Sequence, residues 1–335
     1  MRWVYFLLVI LTCQAEGYLK NECHIRNIRT VVIPGHEKAY NPSIIPYGDK
    51  ILMAFRVDSG GGWISQPIKM GVVLLDREFH VVGDPQILEI PSLLQDGEAN
   101  YEDPRLIWCE GKVKLICNEM QCIGGRFFHE MRLFTLEPEG ELFRVSEAKR
   151  LLPPERYLPL TQQKNWVPFT HQGQLYLSYN VNPHEVLCHL PHTEQCPSFA
   201  VSNYHTPWKW GRMRGGTPAI QVDGEYLAFF HSSFMDRSPY SGYRVMRHYF
   251  VGAYTFAKDP PFQVQKVSRS PLSFGGLYKY YGEAPRVVLF PCGLIVEGDT
   301  LFVSCGRNDN EVVILEIDRS SLYRSMVPVK QRWQS

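Results

Sequence analysis

Apolar residues in this chain fall into short runs that alternate with turns. Ile51–Phe55, Val113–Cys117, Leu175–Tyr179, Tyr226–Phe230 and Leu301–Cys305 are rich in aliphatic and aromatic residues. Each run follows a turn built on Gly or Asp: Tyr47-Gly48-Asp49, Glu110-Gly111, Gln172-Gly173, Asp223-Gly224 and Gly298-Asp299. Runs of this length behind such turns predict the second strands of β-hairpins. Further strands are predicted at 71–75, 131–136, 251–256, 262–267 and 312–317. No long segment has the 3.6-residue period of a helix, and 24 prolines and 26 glycines suit many turns. The pattern predicts an all-β fold.

The hairpins are copies of one phrase. It begins at Pro42 (PSIIPYGDKILMAFR), Pro104 (PRLIWCEGKVKLICN), Pro168 (PFTHQGQLYLSYN), Pro218 (PAIQVDGEYLAFFHSS) and Pro291 (PCGLIVEGDTLFVSCG). Self-similarity at a period of roughly 60 residues marks a repeat architecture. Five copies predict a five-bladed β-propeller, each phrase supplying the two inner strands of a blade, with residues 16–335 as one domain. Two stacked β domains are the competing arrangement, but no composition shift marks a linker between them.

Net charge is +1 with both signs mixed along the chain, so no nucleic-acid footprint is expected. Residues 1–15 read as a signal peptide: Arg2, an apolar stretch from Trp3 to Leu11, and Cys13-Gln14-Ala15 as a cleavage site. Export follows, to the periplasm, the exterior or the lumen of a secretory pathway. The stretch is shorter than the ~20 apolar residues of a membrane span, so a signal anchor is the weaker reading and no stable membrane span is expected. Removal of the leader leaves Cys23, Cys109, Cys117, Cys122, Cys188, Cys196, Cys292 and Cys305. In an exported protein these permit disulfides, and Cys188–Cys196 is the expected pair. His184, His189 and His192 read as loop histidines, because no CxxC or HExxH spacing argues for zinc.

Polar residues gather where the hairpins begin and end. Before the first strands stand Tyr40-Asn41, Glu102-Asp103, Lys164-Asn165, Gly215-Gly216-Thr217 and Leu289-Phe290. After the second strands stand Arg56, Asn118-Glu119, Asn180, His231 and Arg307-Asn308-Asp309. Entry and exit of a hairpin share one edge, so all five copies would present these residues at one mouth, as a concave polar site.

These motifs carry a resemblance. Asn41-Pro42, Glu102-Asp103-Pro104-Arg105, Lys164-Asn165-Trp166, Gly215-Gly216-Thr217-Pro218, His231, and Phe290-Pro291-Cys292-Gly293 with Gly306-x-x-Asp309 resemble glycoside hydrolase family 130. That family contains five-bladed propellers that are β-mannoside phosphorylases and some β-mannosidases, and a related group of β-1,2-mannosyltransferases is similar. The resemblance implies inverting cleavage of β-mannosides or related glycosides, with Asp103 as proton donor and Glu102 beside it. It implies Asn41, Arg56, Arg105, Lys164, Asn165, Thr217, Glu283 and Asp309 on the substrate, and His231 and Arg214 on phosphate. Phosphorolysis needs one carboxylate and a cationic pocket; hydrolysis needs a second carboxylate as base, for which Glu102, Glu119 and Glu283 are candidates. No metal or organic cofactor is implied; inorganic phosphate is the possible co-substrate. The chain departs from the pattern at Tyr179-Asn180, where family phosphorylases commonly have an arginine, and Arg212, Arg214 or Arg244 could replace it. Transfer from a sugar nucleotide or sugar phosphate therefore stays open. So does a non-catalytic glycan-binding propeller in which Trp63, Trp166, Tyr280 and Tyr281 stack on sugars.

Overall fold

The structure is a computed structural model and describes residues 23–58, 68–90, 100–123, 125–158, 162–237, 241–278 and 286–332. The expected leader and Trp63, Tyr280, Tyr281 and Glu283 lie outside the described residues.

The described residues form an all-β propeller arrangement of five sheets. Strand β1 (Ile25–Val31) precedes the first sheet, which runs β2 (Tyr40–Tyr47), β3 (Lys50–Asp58), β4 (Ile68–Leu75) and β5 (Val81–Ile87). The second runs β6 (Asn100–Cys109), β7 (Lys112–Ile123), β8 (Arg126–Glu139) and β9 (Leu142–Leu151). The third contains β10 (Val167–His171), β11 (Gln174–Asn180), β12 (His184–Cys188) and β13 (Ser198–His205). In the fourth, β14 (Arg214–Gly215) and β15 (Ile220–Val222) both pair with β16 (Glu225–Arg237). Then come β17 (Val245–Ala257) and β18 (Val264–Ser268), while β19 (Arg286–Val287) runs parallel to β17. The fifth holds β20 (Leu289–Glu297), β21 (Thr300–Arg307) and β22 (Glu311–Asp318). A single helix turn or two, α1 (Arg319–Ser325), follows, capped by Asp318 Oδ1 accepting from Ser321 N at 2.7 Å. Among the described residues no helix is long and apolar enough to cross a membrane.

Both chain ends are tied in by strand pairing. β1 adds to the last sheet, from Ile25 opposite Ile317 to Val31 opposite Val312. At the other end β23 (Met326–Pro328) pairs with β18 and β24 (Lys330–Arg332) with β13. Unpaired strand edges are thereby covered.

The five predicted hairpins form as read. Glu110-Gly111, Gln172-Gly173 and Asp223-Gly224 have positive φ at both loop residues, whereas Gly48 and Gly298 have it at the first alone. These are the two turn geometries whose twist matches a two-residue hairpin. In each sheet the first strand of the hairpin lies inward, and neighbours are stitched there. Ser304 Oγ donates to Pro42 O at 2.6 Å, Leu106 N to Ser43 Oγ at 2.9 Å, and Ala219 N to Pro168 O at 2.9 Å. The largest apolar cluster packs Phe169 against Tyr226, Phe256 and Phe262 at 4.9–5.2 Å between ring centres, geometry that adds about 0.5–1.5 kcal/mol per pair beyond burial.

Three expectations need correction. The strand expected at 262–267 starts at Val264, because Phe262 adopts φ +56° and closes a turn onto Asp259 O at 3.0 Å. His184 is in no loop: it opens β12, fully buried, its Nδ1 2.8 Å from Phe262 O. The Cys188–Cys196 disulfide is absent, and all eight described cysteines are free. Cys188 packs in the large cluster with Tyr176, while its neighbour Leu187 shares a separate cluster with Cys196, Leu175 and Leu177. The two side chains thus pack into different apolar clusters, and a bridge needs side chains that point toward each other.

Candidate active site

The site begins with a repeated irregularity. On β2, Tyr40 faces Arg56 but Ser43 faces Ala54; on β6, Glu102 faces Asn118 but Arg105 faces Ile116. Each first strand carries one extra residue, a β-bulge that re-aims a side chain. Asn41 (φ +49°) and Asp103 (φ +57°) sit in these bulges in the left-handed region, which Asn and Asp tolerate best among non-glycine residues. The proline after each has no N–H to lose from the ladder. The Asn-Pro and Asp-Pro pairs are thus bulge signals, and they turn both side chains into one cavity.

That cavity, ≈ 90 Å³, is lined by nine of the expected residues: Asn41, Arg56, Glu102, Asp103, Lys164, Asn165, Arg214, His231 and Asp309. They come from all five sheets or the segments entering them. Gly306 makes room for this assembly, since a Cβ there would collide with the Asn41 carboxamide.

On the acidic side the carboxylates are fully engaged. Asn41 Nδ2 donates to Asp103 Oδ1 at 2.7 Å. Arg56 places Nη2 3.1 Å from Glu102 Oε1 and Nη1 3.6 Å from Asp103 Oδ1, and its Nε donates to Asp58 Oδ1 at 3.0 Å. The Tyr40 ring lies 4.8 Å beneath the guanidinium. Burial opposes the charge on Glu102, yet Arg56, His129, Lys164 and Asn118 outweigh it and hold the carboxyl below its usual range. The contacts are Asn118 Nδ2 at 3.0 Å and His129 Nε2 at 3.5 Å from Glu102 Oε2. Asp309 pairs with Arg286 at 2.6 Å, but burial, reinforced by Asp103, still raises its carboxyl against the pull of Arg286 and Arg56.

The basic side differs. Lys164 and Arg214 line the cavity without an ion pair among the described residues. His231 is buried between Phe290, at 4.4 Å between ring centres, and Tyr249, and its Nδ1 has no hydrogen-bond partner among the described residues. Burial and the nearby Arg214 and Arg105 hold it well below the usual histidine range, so the ring is neutral.

Two expected ligands lie behind the wall. Arg105 is completely buried: Nε donates to Gly216 O at 2.6 Å, Nη1 to Asp103 O at 2.9 Å and Nη2 to Asn165 Oδ1 at 3.3 Å. With its donors spent on the chain it braces Asp103 and Asn165 rather than touching a sugar. Thr217 is likewise enclosed, its Oγ1 accepting from Phe229 N at 3.0 Å. Glu119, a candidate base, is paired with Arg132 at 2.5 Å, both fully buried and away from the cavity. Glu283 lies outside the described residues.

Sequence reasoning missed Arg286, Tyr249 and His129. All three stand on strands outside the repeated phrase (β19, β17 and β8), where no motif marks them.

A second pocket of ≈ 270 Å³ adjoins the cavity across Lys164, Asn165 and Arg214. Its wall includes Tyr179, Asn180 and Arg212, so the position that lacks the expected arginine faces two arginines from another segment. Arg244 lies on neither wall.

Comparison with known proteins places this geometry. The sequence model of glycoside hydrolase family 130, described as beta-1,4-mannooligosaccharide phosphorylase, matches residues 13–326. No curated protein matches the sequence. Among solved structures, the β-1,2-mannobiose phosphorylase of Listeria innocua aligns with a TM-score of 0.59 at 15% identity, covering 90% of this chain and 93% of its own. A mannose phosphorylase from Leishmania mexicana, in complex with a phosphate ion, aligns with a TM-score of 0.56 at 12% identity, covering 92% of each chain. A GDP-Man-dependent mannosyltransferase from the same organism aligns with a TM-score of 0.54 at 12% identity, covering 92% of this chain and 94% of its own. At these identities the likeness to the structures is one of fold. The family match, spanning most of the sequence, goes further: the chain belongs to glycoside hydrolase family 130, a family of glycoside phosphorylases and hydrolases.

Proposed function

We propose that this protein is an inverting β-mannoside phosphorylase whose five sheets are the blades of one five-bladed propeller comprising residues 16–335. Asp103 is its proton donor. The observation that carries the reading is the division of the cavity: an anchored Asp103 on one side, and on the other Lys164 and Arg214, which have no ion pair among the described residues. Phosphate is already a competent nucleophile, so a cationic pocket suffices for it. Hydrolysis needs a carboxylate free to take a proton from water. Of the two candidate bases among the described residues, Glu102 is committed to Arg56, Asn118 and His129, and Glu119 to Arg132, which favours phosphate over water.

In the proposed step a phosphate oxygen held by Lys164, Arg214 and His231 attacks the anomeric carbon. The bond to the leaving sugar oxygen breaks on the opposite face. Asp103 supplies the proton to that oxygen by way of a sugar hydroxyl, and Asp309 and Asn41 hold the mannosyl unit. Export by the leader, with an oligosaccharide as substrate and no metal or organic cofactor, completes the proposal.

The test is incubation of purified protein with β-linked mannobioses, with and without phosphate. The expected product is α-mannose 1-phosphate, formed only when phosphate is present. Free mannose without phosphate would turn the reading to hydrolysis. A second reading, mannosyl transfer from a sugar nucleotide, is favoured by Asn180 standing where a phosphate-binding arginine was expected. Turnover of GDP-mannose in place of mannobiose would establish it.

A further inference from the structure

The larger pocket has a composition that binding a neutral sugar does not require. Lys164, Arg212 and Arg214 line it, and no carboxylate does among the described residues. Arg212 Nη2 lies 3.5 Å from Asn180 Oδ1, and none of the three cations has an ion pair among the described residues. Burial, Arg212 and Arg247 together pull the Arg214 guanidinium below its usual range: like charges are crowded there without a counter-charge. Across the pocket, Tyr179 is a braced flat surface. It stacks on Tyr157 at 4.6 Å and 24°, meets Trp166 edge-on at 5.4 Å, and Tyr157 is fixed by its hydroxyl donating to Glu185 Oε2 at 2.6 Å. Gln163, 6% exposed, donates Nε2 to Tyr157 O at 3.0 Å, yet its buried Oε1 has no partner among the described residues. A buried acceptor left open is costly unless a ligand fills it.

A single phosphate at Lys164, Arg214 and His231 leaves most of this pocket empty. We propose that the pocket receives a second phosphoryl group joined to the first, so that the site binds an organic diphosphate whose substituent lies against Tyr179 and Gln163. This rests on the placement of phosphate in the proposed function. Arg212 and Arg214 hold the second phosphoryl group, since planar guanidinium forks match phosphate oxygens in pairs. Tyr179 offers its face to a flat ring, and Gln163 Oε1 accepts from a hydroxyl or N–H on the substituent. Pyrophosphate and a nucleoside diphosphate share the anionic chemistry; only the second uses Tyr179 and Gln163.

Calorimetric titration of the whole protein with phosphate, pyrophosphate and GDP separates these contributions. The expected order is GDP tighter than pyrophosphate, and pyrophosphate at least about tenfold tighter than phosphate. Arg212→Ala should bring the pyrophosphate Kd toward that of phosphate while leaving the phosphate Kd unchanged. Tyr179→Leu should remove only the advantage of GDP. Equal affinity for phosphate and pyrophosphate, or an Arg212→Ala loss shared equally by both, overturns the proposal. Equal affinity for pyrophosphate and GDP overturns its organic part. Binding of phosphate and diphosphate without phosphorolysis would sink the proposed reaction and leave this inference standing.

Discussion

The two halves of the cavity are built on opposite terms. Around Asp103 every charge has its answer: Arg56 spans Glu102, Asp103 and Asp58, Asn41 holds Asp103, and Arg286 holds Asp309. Around His231 the cations have no ion pair among the described residues: Lys164, Arg214 and Arg212 line the two pockets, and the imidazole is kept neutral. The first half is positioned before any ligand arrives, which is what an acid that must deliver a proton at one point requires. The second half is the one that the proposed reaction completes with an anion. The contrast teaches that charge in this site is divided between positioning and binding, and it can be broken from either side.

The largest effect should follow loss of the acid. Asp103→Asn keeps the size and the Asn41 contact but has no proton to give, so kcat should fall about 10²–10⁴-fold. The Kd for a mannoside, measured by titration, should stay nearly unchanged. Unchanged turnover would remove Asp103 from the chemistry. Next comes Arg56→Met, which leaves Glu102 and Asp103 buried without their shared cation. Removing one member of such a buried pair costs about 3–5 kcal/mol, readable as a lower midpoint in denaturant. A variant as stable as the parent would show that the acidic half is not held by this arginine.

How far these residues were legible in the sequence depends on how local their cause is. The hairpins were legible because two-residue turns are written in adjacent residues such as Gln172-Gly173. Asn41 and Asp103 were legible because the bulge that aims them is written in the proline that follows. Arg105 was not, since its role is to reach Gly216 O, 111 positions away, and only the packing of two sheets brings them together. Arg286, Tyr249 and His129 were hidden for the same reason. Cys188 and Cys196 misled because closeness along the chain says nothing about which apolar cluster each side chain joins. His184 misled because a histidine beside prolines reads as loop, while burial keeps it neutral inside a strand against the pull of the Phe262 carbonyl.

On the basic side Lys164→Met should act mainly on binding. A hydrogen bond to a charged group contributes about 1.5–3 kcal/mol, so the KM for phosphate should rise roughly 10- to 100-fold. Thermal stability should fall only slightly, because Lys164 has no ion pair among the described residues to lose and supports the Glu102 carboxylate only at longer range. A large fall in Tm with KM unchanged would make Lys164 a structural residue and erase the distinction between the halves.

Acid should expose the same division at smaller amplitude. Glu102 has its carboxyl held below its usual range in the folded state. Its contribution is therefore present above the unfolded carboxyl value, near 4.5, and is lost only as pH falls below that. His231 is a base held neutral by burial, with a folded value well below its unfolded 6.5. Between 6.5 and that folded value the unfolded chain binds a proton that the folded chain refuses, so stability falls as pH falls. Each such histidine costs up to about 1.4 kcal/mol per pH unit. His184, pushed down to about 4 by burial, adds to the same slope. Acidification from pH 6.5 to 5 should thus weaken the fold before the Glu102 carboxylate is affected. His231→Gln should lower the slope of unfolding free energy against pH by about one proton in that interval, leaving the shares of His184, His189 and His248, which burial also holds down. A slope unaltered by His231→Gln would mean that His231 accepts a proton in the folded state, and the basic half would then carry one more cation toward its anion.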